Sequence, residues 1–148
     1  MKKIIILLAV AVVCCTACRY EEGPGISFVA PEYRIVGNWI VEKVFLNGDQ
    51  ISEPESIANK PGNYYLFYDD GIMQVNTLNE GTIRYSYYGY WRFQNNSKEV
   101  VIDFNLMNQK YYYVATIKKL TKKEMFYEYD DTRGNHWRLE LTCISRTN

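Results

Sequence analysis

The stretch that most limits what this chain can fold into is residues 82–94, TIRYSYYGYWRFQ, where large side chains alternate about the backbone. Tyr85, Tyr87, Gly89, Trp91 and Phe93 fall in one phase; Arg84, Ser86, Tyr88, Tyr90 and Arg92 fall in the other. A period of two marks a strand, because successive side chains point to opposite faces, whereas a helix would scatter them around its circumference. The rest of the chain repeats the pattern between turn signals. Residues 35–46 end at Asn47-Gly48-Asp49, residues 63–68 pass through Asp69-Asp70-Gly71 into 72–78, and Asn79-Glu80-Gly81 leads to 82–94. Beyond Asn95-Asn96-Ser97-Lys98 come 99–106, 110–120 and 124–129, and a last strand carries Trp137, Leu139, Leu141 and Cys143 in phase. Residues 51–62 interrupt the series as a loop, with one helical turn expected at 54–57.

Eight strands joined in order by short connections predict an antiparallel sheet, since a parallel pair needs a long crossover. Such a run of hairpins closes most simply as an up-and-down barrel, which leaves no exposed edge. The expected fold class is therefore all-β, an eight-stranded antiparallel up-and-down barrel without a long helix, over residues 35–148. With 14 Tyr, 6 Phe and 3 Trp, the chain is rich in the aromatics that favour strands. The phase containing Tyr85, Tyr87, Trp91, Tyr113, Ile117 and Trp137 is expected to face inward. These six are the candidate ligand-lining residues, because an apolar hollow with a few hydroxyl donors suits a small molecule.

The amino terminus carries a separate message. Met-Lys-Lys precedes an apolar run over residues 4–13, followed by Cys14-Cys15-Thr16-Ala17-Cys18. A cationic start, about ten apolar residues and a small-residue cleavage site define a secretory signal, and the run is too short for a permanent span. Thr16-Ala17-Cys18 resembles the lipobox of bacterial lipoproteins. It implies that residues 1–17 are removed and that Cys18 carries the lipid. The mature chain would then be held at a membrane by Cys18, with residues 18–34 as a flexible tether. Glu21 and Glu22 resemble the export signal of surface lipoproteins in Bacteroidota; the same stretch, with Gly23-Pro24-Gly25, reads equally as a polar spacer. Removing Lys2 and Lys3 leaves 15 basic against 17 acidic residues, a net charge of −2, with no footprint for nucleic acid.

Gly37-Asn38-Trp39 opens the first strand in the manner of lipocalins. Together with Asn47-Gly48, Tyr65-Leu66-Phe67 before Asp69-Asp70-Gly71, Gly89-Tyr90-Trp91 and Ile117-Lys118-Lys119-Leu120-Thr121, it resembles the lipocalin-like lipoproteins of Bacteroidota. The Thr-Asp-Tyr motif that many lipocalins carry late in the barrel is replaced by Leu120-Thr121-Lys122. The resemblance implies a cell-envelope, outer-membrane location and a barrel closed at one end by Trp39. Gly37 would allow close backbone approach there, and Arg138 would stack on the Trp39 ring.

Catalytic equipment is not legible. His136 is the single histidine, and it stands beside a turn. Cys143 shares the apolar phase of its strand and reads as a buried, inert thiol. One His and one spare Cys cannot make a zinc set. The Asp69-Asp70 and Asp130-Asp131 pairs are explained by turns, and Glu42, Asp103, Glu128 and Glu140 by a solvated outer face. No enzyme, metal or cofactor is expected. Two functions fit these features: a module holding a small hydrophobic or amphipathic molecule, or an interaction protein docking another envelope component through tyrosines such as Tyr64, Tyr88 and Tyr112.

Overall fold

A computed structural model describes residues 20–24 and 27–146. Cys18 and the signal segment 1–17 lie outside the described residues. A short helix α1 (Pro31–Ile35) leads into nine strands: β1 (Gly37–Leu46), β2 (Asp49–Ile51), β3 (Tyr64–Phe67), β4 (Ile72–Asn79), β5 (Thr82–Gln94), β6 (Glu99–Leu106), β7 (Gln109–Leu120), β8 (Glu124–Asp130) and β9 (His136–Ser145). Every neighbouring pair is antiparallel, and β9 returns to pair with β1 from Asn38↔Ser145 to Leu46↔Trp137. Eight strands thus close a barrel, and the short β2 is an added strand hairpinned onto the end of β1. The expected helical turn at 54–57 does not form. The helix among the described residues is α1 instead, where Pro31 fixes the first-turn φ without sacrificing a needed N–H.

Two ends follow from the topology. The helix end gathers α1 and the turns β3–β4, β5–β6 and β7–β8, and the last residues of β9 finish there. The loop end gathers the 52–63 connection and the turns β4–β5, β6–β7 and β8–β9. Between them the barrel is filled. Val41, Val44, Val75, Val100, Ile102, Phe104, Ala115, Ile117, Met125, Leu139 and Leu141 are buried in one core. Side chains occupy the bore as they do in small barrels of this strand number.

Glycine is required at two crossings. A Cβ on Gly89 would lie 2.3 Å from the Asp103 carbonyl oxygen and 2.4 Å from the Phe104 Cβ, so only glycine lets β5 meet β6 there. At Gly37, φ is +151° and a Cβ would lie 2.9 Å from the Ser145 carbonyl oxygen, where β9 closes on β1. From Gly89 onward β5 pairs with β6; before it, β5 pairs with β4 alone. The first half of β5 therefore projects beyond the barrel wall, and Tyr85 is 43% exposed.

Residues 20–24, within the stretch read as a flexible tether, dock on the barrel. Tyr20 is buried; its hydroxyl donates to the Ser97 carbonyl at 2.9 Å and its ring covers the buried Arg34 guanidinium at 5.3 Å. Glu22 takes a bidentate pair from Arg138 at 2.7 and 2.8 Å, and Glu21 meets Lys118 at 2.6 Å. The outward row on β7–β9 supplies complementary charges, which composition alone does not reveal.

Candidate functional site

A pocket of about 410 Å³ opens at the loop end, between the 52–63 loop, the start of β7 and the β8–β9 turn. Its volume lies within the range of small-molecule sites. Alternation builds its floor: Tyr111 and Tyr113 on β7, Tyr129 on β8 and Trp137 on β9 all point inward. Tyr113 and Tyr129 stack with centroids 3.9 Å apart, and the Tyr113 hydroxyl reaches that of Tyr127 at 3.5 Å. Phe104 stacks against Tyr111 at 4.9 Å. Burial pushes the Tyr113 and Tyr127 hydroxyls far above their ordinary range, with the neighbouring hydroxyls adding to the rise, so both stay protonated.

Two side-chain bonds hold the loop into the mouth, and Asn63 braces it from within. Asn59 Nδ2 donates to the Tyr129 hydroxyl at 2.7 Å, the Tyr65 hydroxyl donates to the Ala58 carbonyl at 3.0 Å, and Asn63 Nδ2 donates to the Ile57 and Ala58 carbonyls. These buried bonds fix Glu55 and Ser56 at the rim. Among the described residues, the Ser56 hydroxyl and the Asn59 side-chain amide oxygen are buried without a hydrogen-bond partner, an arrangement that costs free energy.

Opposite the loop, Asp131 organises the β8–β9 turn. It accepts from Trp137 Nε1 at 3.0 Å, from Asn135 N and Nδ2 at 2.9 and 3.0 Å, and from Arg133 N at 2.8 Å. Burial alone would raise this carboxyl, but those donors outweigh it and hold it well below the usual carboxylate range. Arg133 faces Glu55 across the mouth at 3.7 Å, and Lys110 completes the rim. The result is an aromatic floor ringed by hydroxyl, amide and balanced charge.

The six ligand-lining candidates do not converge on one hollow. Tyr113 and Trp137 line the loop-end pocket; Trp91 lines a separate trough at the helix end. Ile117 is buried in the core, Tyr87 is half-buried, and Tyr85 stands out on the projecting part of β5. Sequence reasoning missed Tyr111, which shares the phase of Tyr113, and Tyr129, whose strand carried no named inward residue although Tyr129 alternates with the outward Glu128. Nothing in the sequence marked Glu55, Ser56 or Arg133, because a loop has no periodicity to read.

Of the closing residues, Trp39 is fully buried at the helix end and donates from Nε1 to the Ile35 carbonyl at 2.7 Å. Gly37 lies against β9 as described. Arg138 does not reach Trp39. It faces outward opposite Phe45, stacks on Phe126 at 5.4 Å, and binds Glu22, Glu128 and Glu140. Arg146 takes the place over Trp39, 5.5 Å from the ring, and donates to the Arg34, Val36 and Lys122 carbonyls. Strand parity is the cause: Arg138 neighbours the inward Trp137, so it must face out.

Reactive side chains are dispersed. Burial raises the Cys143 thiol, which approaches the Ser145 carbonyl at 3.5 Å, and His136 bonds Asp130 at 2.7 Å on the surface. Asp70 and Asp131 accept from backbone N–H groups within their own turns. Among the described residues no three His, Cys, Asp or Glu side chains converge as a metal site.

No family model and no curated protein matches the sequence. Solved structures match its fold. A lipocalin-like protein from Bacteroides uniformis superposes with a TM-score of 0.53 at 11% identity, covering 75% of this chain and 99% of its own. An uncharacterized protein from Bacteroides eggerthii gives 0.51 at 14% identity, covering 74% and 98%. At these identities the likeness is one of architecture: this chain forms a lipocalin-like barrel.

Proposed function

We propose that this protein is a lipid-anchored, non-enzymatic envelope lipoprotein that binds a small amphipathic molecule in its loop-end pocket. The observation that carries the reading is the pocket itself, about 410 Å³ with a floor of Tyr111, Tyr113, Tyr129 and Trp137. Aromatic faces and edges suit a planar apolar body. The Tyr111 hydroxyl, which donates to Gln109 Oε1 at 3.3 Å, and the Lys110 and Arg133 cations suit polar substituents at its rim. Because the bore below is filled, the ligand is compact; a long acyl chain has no room to descend. The lipocalin-like fold supports a binding role without naming a ligand.

Two experiments test this. Protein purified from native membranes and extracted with organic solvent should release a compound that Tyr111→Ala protein lacks. Release of nothing, or equal amounts from both, contradicts the pocket. Anchoring at Cys18 predicts that Cys18→Ala moves the protein from the membrane to the soluble fraction.

A second reading rests on the outer wall. Ile72, Tyr88, Tyr90, Tyr112 and Val114 are exposed across β4, β5 and β7, and Tyr90 lies in register with both Ile72 and Asp103. Contiguous exposed aromatics mark interaction surfaces. Cross-linking on cells to another envelope component, lost in Tyr88→Ser/Tyr90→Ser protein, would favour it.

A further inference from the structure

Cys18 is only two residues from Tyr20, and Tyr20 is not free to wander. It is 4% exposed, bonded to the Ser97 carbonyl on the β5–β6 turn and stacked on Arg34 of α1. Two residues span at most about 7 Å. A free 17-residue tether would let the barrel roam on the order of 20 Å. Anything attached at Cys18 therefore starts beside the helix end of the barrel.

That end is built unlike the rest of the surface. Phe28 at 94% and Tyr33 at 77% are the most exposed large apolar side chains among the described residues, and Ile144 is 51% exposed at the end of β9. Val29, Tyr33, Val36 and Trp91 border a trough of about 650 Å³ that is open to solvent there. The Ser97 hydroxyl lies 3.4 Å from Glu32 Oε1, so the Tyr20 seat adjoins the helix that carries Tyr33. The exposed cations at this end, Lys98, Lys122, Lys123 and Arg146, nearly balance the exposed acids Glu32, Asp69 and Asp70, and Arg146 is already tied to backbone carbonyls. Attraction to this end is apolar and aromatic, so it does not depend on anionic lipid. Among the described residues no helix is long and apolar enough to cross a membrane.

We propose that the helix end is a membrane-contact face, seated on the lipid surface through Phe28, Tyr33 and Ile144, with the loop-end pocket turned away from the bilayer. The inference rests on Cys18 being lipidated. The docked 20–24 strap is then the device that converts a lipid anchor into a fixed orientation. Glu22 on Arg138 and Glu21 on Lys118 hold its outer side, and Tyr20 holds its inner side.

The test uses the full, lipidated chain in phosphatidylcholine vesicles, with Cys143→Ser as background and an environment-sensitive dye at Phe28→Cys or at Arg133→Cys. With the chain sedimenting on the vesicles, the dye at 28 should shift to the blue and be shielded several-fold from aqueous iodide. The dye at 133 should be quenched as it is without vesicles. Adding Tyr20→Ala should leave sedimentation intact and expose the dye at 28. Equal quenching at 28 and 133 in a sedimenting chain overturns the orientation while leaving the anchor standing. A chain that does not sediment overturns the anchor, and the orientation falls with it.

Discussion

The two ends of this barrel are made from the same alternating strands and differ in how they are finished. At the helix end, α1 lies across the opening, Trp39 is fully buried beneath it, and Arg146 ties the Arg34, Val36 and Lys122 carbonyls together above the indole. Backbone acceptors and one cation satisfy each other. At the loop end a buried Trp is also present, but Trp137 borders a pocket, and its partner is a carboxylate on a turn. At the helix end the bore is capped by packing, with an open trough beside the cap; at the loop end the mouth is held open by a polar frame. A barrel therefore assigns stability and binding to opposite rims, and single residues should report which rim they serve.

The largest contrast is expected from the two tryptophans. Trp39→Ala should cost about 3–5 kcal/mol, because the void left under α1 is closed to water. Trp137→Ala should cost less, because its void joins an open pocket. Urea unfolding of both variants measures the difference, and a larger loss at Trp137 would break the comparison.

Gly37→Ala comes next, at about 1–3 kcal/mol for a non-glycine residue held at positive φ. The added methyl also meets the Ser145 carbonyl, so the loss should appear as premature opening of the β1–β9 seam in hydrogen exchange.

At the loop end the expected signature is pH-dependent. The folded Asp131 carboxyl is held below its unfolded value, so the stability it contributes is complete above the ordinary Asp range near pH 4 and is lost as pH falls through the lower folded value. Asp131→Asn should cost about 1–2 kcal/mol at pH 7. The gap from the parent should narrow as the pH is taken below 3. A gap that stays constant with pH would mean that charge is not what the turn uses.

Smaller still is Tyr129→Phe, at about 1 kcal/mol, since it removes the acceptor that Asn59 Nδ2 uses to hold the loop. It should also loosen the 52–63 loop in hydrogen exchange. Glu22→Gln should be the smallest, under about 1 kcal/mol, because its pair with Arg138 is partly solvated. That variant should raise exchange at residues 20–24 without moving the core.

Alternation told the sequence reading which side of a strand each residue occupies, and the strands of the closed barrel lie close to where turn chemistry put them. It could not tell height along the barrel. Tyr85 and Trp91 share a phase, yet six residues of strand separate them by roughly 20 Å. One reaches past the rim and the other lines the far end. It was the resemblance that put Arg138 over Trp39, although the residue's parity beside Trp137 already pointed it outward. Contacts that depend on tertiary docking left no local mark. The 52–63 loop enters the mouth because Asn59 finds the Tyr129 hydroxyl and Tyr65 finds the Ala58 carbonyl there, and the 20–24 strap lies down because Arg138 and Lys118 await it.

The three indole N–H groups offer the most direct test, since each is bonded to a different acceptor. Trp39 donates to Ile35 and Trp91 to Tyr68 at the helix end, while Trp137 donates to Asp131 at the loop end. In a nitrogen–proton correlation spectrum, titration with 8-anilinonaphthalene-1-sulfonate, a planar amphipathic probe, should move the Trp137 signal in a saturable way and leave the capped Trp39 in place. A Trp137 signal that stays unmoved while Trp39 or Trp91 shifts would contradict the assignment of binding to the loop end.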